Sequence, residues 1–381
     1  MRTTRRRSAS AALFLAAAAA FGQTASPAVD QPMQFQADSQ FQAVLTQYLH
    51  ATHYQLGDIR LPQSRNAALM YLRYIEVLAD ETRDEARSYL SSLGDDAAPA
   101  SFDERLAKYL TDARDVLDGF ERASQLPNCD FGVELELGHH ALLTHLGGLR
   151  AVARVLAADA YRLALDEQPV RAANRVATLH RLAEHLASDR VAISALVGVA
   201  LHALAADTTT RLLDHDLLTP EAKAVLTEAI DEVDPSNPSG VRGAIVGESV
   251  WVLDVLERSA RSNDTKVIAD MVELIDSTGA NDSIRELRDA RPSAVLKAIE
   301  QAREYQSLII EHWDDPDAVA KLEGLQAMVA SNAFGPIAKN FSIAAPRVRA
   351  STDRIGAQLE TLRARLEQPT PNNANLAPTP N

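Results

Sequence analysis

Apolar residues return every three or four positions along most of this chain, the spacing that gathers them on one face of an α-helix. Residues 34–56 show it first, with Phe41, Val44, Leu45, Tyr48 and Leu49 on one side. After Pro62, SRNAALMYLRYIEVLADE predicts a helix that buries Ala68, Leu69, Leu72 and Ile75. Ser101-Phe-Asp-Glu104 has the form of a capping box, in which the serine accepts from a first-turn amide and the glutamate reaches back to the cap. Its helix is expected to run to about Gln125, where Leu126-Pro127-Asn128 breaks it. Residues 139–215 form the densest helical block. Leu149, Val152, Ala153, Leu156, Ala160 and Leu163 make one stripe; Val176, Leu179, Ala183 and Leu186 make the facing one. Pro169 marks the turn between them and suits a first helical position. The small alanines let the two axes approach closely. VAISALVGVALHALAA (191–206) is apolar all round, which predicts the most buried helix. It reads as too short and too interrupted for a membrane span.

Further on, Thr219-Pro220-Glu221 places a cap, a proline and an acid where a helix start favours them. DPSNPSG (234–240) is the best internal boundary. Helices are then expected near 241–260, 264–277, 282–290 and 293–312. Another starts at Asp314-Asp315-Pro316 and ends near Ala333, and Gly335-Pro336 interrupts. A last helix covers about 344–367. There Val348, Ile355 and Leu362 repeat every seven residues, as do Thr352, Leu359 and Leu366. That is the narrow seam of a coiled coil. Arg347, Arg349, Arg354, Arg363 and Arg365 line the other faces. The pattern favours pairing with a partner, a second copy among the candidates, over packing on the body.

These elements predict an all-α protein: antiparallel helical hairpins stacked as an irregular, tetratricopeptide-like bundle or solenoid. The 34-residue period of a true array does not recur. The expected organisation is an N-terminal helical domain over 34–234, a linker at 235–240, a C-terminal helical region over 241–368 and a disordered tail at 369–381. Composition agrees. The chain has 381 residues, 46% of them hydrophobic but only 5% aromatic. Alanine and leucine, strong helix formers, dominate.

Charge and the N-terminus narrow the setting. The formal net charge is −14, and Arg2, Arg5, Arg6 and Arg7 all sit in the first seven residues. An acidic body with no long basic stripe repels phosphate backbones, so no nucleic-acid partner is expected. MRTTRRR followed by SASAALFLAAAAAFG reads as a signal peptide over 1–22, with Ala20 and Gly22 at the cleavage positions and Gln23 first in the mature chain. Its apolar run is shorter than the ~20 residues a span needs. Residues 23–33 follow as a flexible linker. The expected location is periplasmic or extracellular, with no stable membrane anchor after cleavage. Cys129, the one cysteine, excludes an intrachain disulfide and reads as a small buried hydrophobe.

SRNAALMYL, NCDFG and the long block from His145 to Ala200 together resemble a broad family of uncharacterised exported bacterial all-α, helical-hairpin proteins. The likeness covers roughly residues 64–215, and more faintly AIVGESVWVLDVLE. It implies a helical fold and export, and it carries no known activity, cofactor or catalytic residue.

The chemical candidates are few. GVELELGHHALLTHLGG (132–148) gathers Glu136, His139 and His140, with His145 beyond. Glu136-x-x-His139 has the spacing of a carboxylate-bridged di-metal ligand pair, but such a site needs a second copy and two further glutamates. The stretch is therefore read as polar decoration at a helix start, and no cofactor is expected. His180 and His185, five apart, point roughly 140° from each other and cannot grip one zinc from one helix. His180 and Glu184 are read as an i,i+4 surface pair. His202 is read as a core or groove-edge histidine with one hydrogen-bond partner. Gly247-Glu-Ser249-Val-Trp251 lacks the second glycine of a nucleophile elbow, and Glu248 is read as an ordinary helix glutamate. The expected function is binding or scaffolding of a protein or peptide partner through a groove or the terminal helix. The alternative is a metal-assisted hydrolase or oxidoreductase built on Glu136, His139 and His140.

Protein purified without chelators is expected to carry no stoichiometric zinc, iron or manganese. Changing His139 and His140 together to Ala should leave the melting temperature nearly unchanged, as surface substitutions do. Elemental analysis and a thermal melt check both; a full metal equivalent lost in the double variant overturns the reading.

Overall fold

In the computed structural model, all regular structure among the described residues is helical. The structure describes residues 66–77, 104–133, 143–266, 268–269, 272, 287–288, 290–341 and 344–368. They fall within one unit, Leu56–Asn381. The leader, the helix expected at 34–56, the Ser101 cap and most of 264–290 lie outside the described residues, as does the tail.

The helices are α1 (67–77), α2 (Glu104–Asp112), α3 (Arg114–Ser124), α4 (His145–Leu165), α5 (Pro169–His185) and α6 (Ala192–Asp214). There follow α7 (Pro220–Asp231), α8 (Val241–Arg261), α9 (Pro292–His312), α10 (Ala318–Ala330), α11 (Gly335–Phe341) and α12 (Ala345–Leu366). Short 3-10 turns occupy Leu186–Asp189 and Pro238–Gly240.

The centre is α5. Its start is set by Pro169, whose fixed φ suits the first turn and whose missing N–H costs nothing there. Ala172, Ala173, Val176, Ala177, Leu179, Leu182 and Ala183 are all fully buried. They do not form a single stripe, because α3, α4, α6 and α7 all pack against this helix. Alanines on both members let α4 and α5 close as a hairpin, joined only by Asp166–Gln168. The stripe from Leu149 to Leu163 is buried throughout, as expected. At α7 the Thr219 hydroxyl accepts from the Ala222 amide at 3.3 Å, with Pro220 and Glu221 in the first turn.

Several expectations change. The buried face of α1 is Ala67, Ala68 and Tyr71, whereas Leu69 is 44% exposed. The helix expected to run on from Glu104 to about Gln125 breaks at Ala113, giving α2 and α3. The apolar helix runs on to Asp214, so by length and composition α6 could cross a membrane; most of its apolar window is buried inside the bundle instead. Gly335-Pro336 opens a helix rather than ending one. The turn at 235–240 connects α7 to α8 with Pro238 and Ser239 buried.

The largest correction concerns α12. Val348, Thr352, Ile355, Leu359, Leu362 and Leu366 are all buried, against α6, α7 and α10. The seam expected to receive a partner is filled from within the chain. A heptad stripe needs a facing groove of small and apolar residues, and the bundle supplies one. Contact is close: a Cβ on Gly356 would strike the carbonyl oxygen of Pro235.

A chain ending at Ile343 is therefore expected to be unfolded or aggregated. Burying a branched apolar side chain contributes about 1.5–3 kcal/mol, and several are lost together, against a whole stability of about 5–15 kcal/mol. Circular dichroism and a thermal melt check this; a cooperative melt in the truncated chain overturns it.

Candidate functional site

The chemistry among the described residues is internal, strung along α5 and the turn after it. Near the N-terminal end of α5 sits Arg175, 1% exposed, with three carboxylates on its guanidinium. Asp159 of α4 lies at 2.9 Å and Glu121 of α3 at 2.5 Å, and Asp118 of α3 completes the set. A planar fork of donors suits such a cluster better than a point charge. Asp159 is also buried and takes a second ion pair, from Arg162 at 2.9 Å.

One turn further along, His180 and His202 are both fully buried, and their Nδ1 atoms stand 2.9 Å apart. His202 Nε2 lies 2.7 Å from Glu184 Oε1, and the same oxygen accepts from the Ser239 amide at 2.9 Å. A carboxylate only accepts, so His202 Nε2 carries the proton. With both rings neutral, His202 Nδ1 then accepts and His180 Nδ1–H donates. His180 Nε2 is left as a bare lone pair with no partner. Burial and the neighbouring His202 hold the His180 pKa well below its ordinary value, with Arg181 adding in the same direction. The surface pair expected of His180 and Glu184 is thus replaced by a relay through His202, reached across 22 residues of sequence. Local spacing carries no sign of it.

At the end of α5, His185 Nε2 lies 3.0 Å from the Leu126 carbonyl and Nδ1 lies 2.9 Å from the Tyr71 hydroxyl. The carbonyl accepts, so Nε2 is protonated and the Tyr71 hydroxyl donates to Nδ1. Burial pushes the His185 pKa down to about 4, although the Leu126 carbonyl and Glu184 act the other way. Burial likewise raises Tyr71. Below this pair, Asn66 clasps the 128–130 segment: its side-chain amide donates to the Asp130 carbonyl at 2.8 Å, and its side-chain oxygen accepts from the Asp130 amide at 2.8 Å. SRNAALMYL and NCDFG meet here. Cys129 is buried between them, as expected, and burial with Asp189 and Asp130 nearby pushes its thiol far up. The thiolate, its nucleophilic form, is thereby suppressed.

His145, at the start of α4, donates to Asp189 at 2.8 Å and stacks on Phe131 with ring centroids 4.1 Å apart. Ser194 donates to the same carboxylate oxygen at 2.6 Å. Both groups meet on the acid, so the serine is not presented to the histidine. His202 behaves as a core histidine, with two partners rather than the one expected. Glu136, His139 and His140 lie outside the described residues, as does the side chain of Glu248. Among the described residues no group of three or more His, Cys, Asp or Glu could hold a metal ion.

Set against known proteins, the chain matches no family model, no curated protein and no solved structure.

His185 gives a pH prediction. Its folded-state value of about 4 lies below the ordinary 6.5. The unfolded chain therefore binds the proton first, and stability is full above about pH 6.5 and falls as pH drops toward 4. At about 1.4 kcal/mol per unit, this one ring accounts for about 3 kcal/mol by pH 4. Thermal midpoints between pH 8 and 4 should fall accordingly, and His185→Gln should flatten part of the slope. An unchanged slope in that variant overturns the assignment.

Proposed function

We propose that this chain is an exported helical binding protein, its hairpins stacked in a tetratricopeptide-like manner, that recognises a basic, partly apolar peptide segment of a partner protein. The observation that carries this reading is an open groove between α7 and the end of α12. Pro220, Ala224 and Leu366 give it an apolar floor among polar side chains, and its one lysine, Lys223, donates to the Gln368 carbonyl at 3.2 Å. Its acids are Glu228, Asp231, Glu232 and Glu367. Three of them already hold guanidinium groups from this chain: Asp231 binds Arg363 at 3.1 Å, Glu367 binds the same side chain at 3.7 Å and Glu232 binds Arg181 at 2.9 Å. A groove with a small apolar floor and an excess of acids is complementary to an amphipathic basic segment. The interior histidines and Arg175, by contrast, are buried among the helices, so the groove is where this chemistry meets a partner.

Titrating the full chain with a fluorescent leucine–arginine peptide of about a dozen residues, with a leucine–glutamate peptide of equal length as control, tests the reading. Binding of the basic peptide alone is expected, weakening as salt shortens the Debye length below ~10 Å. Glu228→Lys should weaken it about tenfold, or ~1.4 kcal/mol. Equal binding of both peptides, or none of either, overturns the reading.

A further inference from the structure

We propose that Glu184, His202 and His180 form an acid-operated latch on the turn Pro238–Gly240: closed while the histidine pair is neutral, released when the pair takes up a proton.

The closed state fits a neutral pair and no other. Glu184 Oε1 is filled by His202 Nε2–H and the Ser239 amide. The single hydrogen bond between the rings uses one proton. An added proton has one vacant site, the lone pair of His180 Nε2. Once there, it can be relayed: His180 passes its Nδ1 proton to His202 Nδ1, and the charge moves beside Glu184. Every such arrangement leaves an N–H on His180 Nε2, which has no acceptor among the described residues. A buried N–H without an acceptor costs more than a bare lone pair, whether the ring that carries it is charged or, after the relay, neutral. Opening supplies the missing acceptor from water.

The charged surroundings offer no escape. On α5 itself, Arg181 adds positive charge and is held by Glu232 of α7. The buried acid of α4, Asp159, is taken by Arg175 and Arg162. The acid of the turn after α5, Asp189, is taken by His145 and Ser194. From α12 the buried polar group is Thr352, whose hydroxyl donates to its own helix. Among the described residues, Glu184 is the anion hydrogen-bonded to the pair.

The turn is the part made to move. Ser239 has φ 56° and ψ 25°, followed by Gly240 at φ 60°. A left-handed serine costs about 1–2 kcal/mol. The Ser239 hydroxyl is buried without a partner. It sits against Gly198, where a Cβ would strike it and would stand 2.9 Å from the Ala183 carbonyl. A strained segment with an unmet hydroxyl is thus held to the pair by the hydrogen bond that the Ser239 amide donates to Glu184. Release loosens the link between α7 and α8.

Hydrogen exchange on the full chain, read by mass spectrometry over 234–246 and corrected for intrinsic rates, tests this. An imidazole that is neutral when closed and ordinary when open raises the opening equilibrium about 25-fold between pH 7 and pH 5. That rise is expected at 234–246 and not along the Leu149–Leu163 stripe. It should vanish in the double variant His180→Gln, His202→Gln. A rise that persists in that variant, or no local rise in the wild type, overturns the latch. Should the variant fail to fold, histidine C2–H exchange on the wild-type chain decides: a His180 midpoint at least one unit below that of His312 supports the latch, and one at the ordinary 6.5 overturns it.

Discussion

A polar side chain buried among packed helices is costly unless it finds a partner inside the protein. That constraint falls on Arg175–His180 of α5, which are buried throughout, and most of their polar atoms meet it. Arg175 draws in Asp118 and Glu121 of α3 and Asp159 of α4. Thr178 returns its hydroxyl to the Asn174 carbonyl of its own helix. His180 takes His202 of α6, Glu184 takes His202 and the Ser239 amide, and His185 takes Tyr71 of α1 and the Leu126 carbonyl. Thr178 aside, the partners come from α1, α3, α4, α6 and two connecting segments, so the contacts fix how those neighbours sit around the helix. The apolar surface between them supplies most of the driving force. Alone it would tolerate several rotations of α5; the polar contacts tolerate few.

Much of the fold can be read from the order of residues. The stripes at Leu149–Leu163 and Val176–Leu186, the start at Pro169 and the Thr219 cap depend on contacts within a turn or two of helix, which local spacing records. The histidine network does not. His180 and His202 touch only because α5 and α6 lie side by side, and periodicity does not say how many sides of a helix are covered. On a helix with one open face, His180 and Glu184 would be the surface pair their spacing suggests. The Gly335-Pro336 dipeptide misleads for a related reason: a proline that stops one helix is equally suited to the first turn of the next. The stretch holding Glu136, His139 and His140 remains outside the described residues, and nothing in the structure alters its reading.

The heptad repeat of α12 is a sharper case. A stripe every seven residues states that a narrow apolar seam must be covered, and it does not distinguish another chain from an earlier helix of the same chain. The arginines beside it point the same way in hindsight. Arg363 and Arg365 reach Asp231 and Asp214, at the ends of α7 and α6. The basic excess of the last helix is matched by acids of its own bundle. Asn66 with the 128–130 segment makes a similar point: two motifs 64 residues apart in sequence form a single clasp.

The close approach of Gly356 to the Pro235 carbonyl has a consequence for the timing of folding. Of the partners of α12, α10 lies just before it, whereas α6 and α7 lie more than a hundred residues upstream. Until the last helix emerges from the ribosome, the apolar faces it covers have no cover. Contacts of such long sequence separation are made late and slowly. Covering of α6 and α7 therefore waits for α12, whereas α4, α5 and α6, neighbours in sequence, can pack on one another before it.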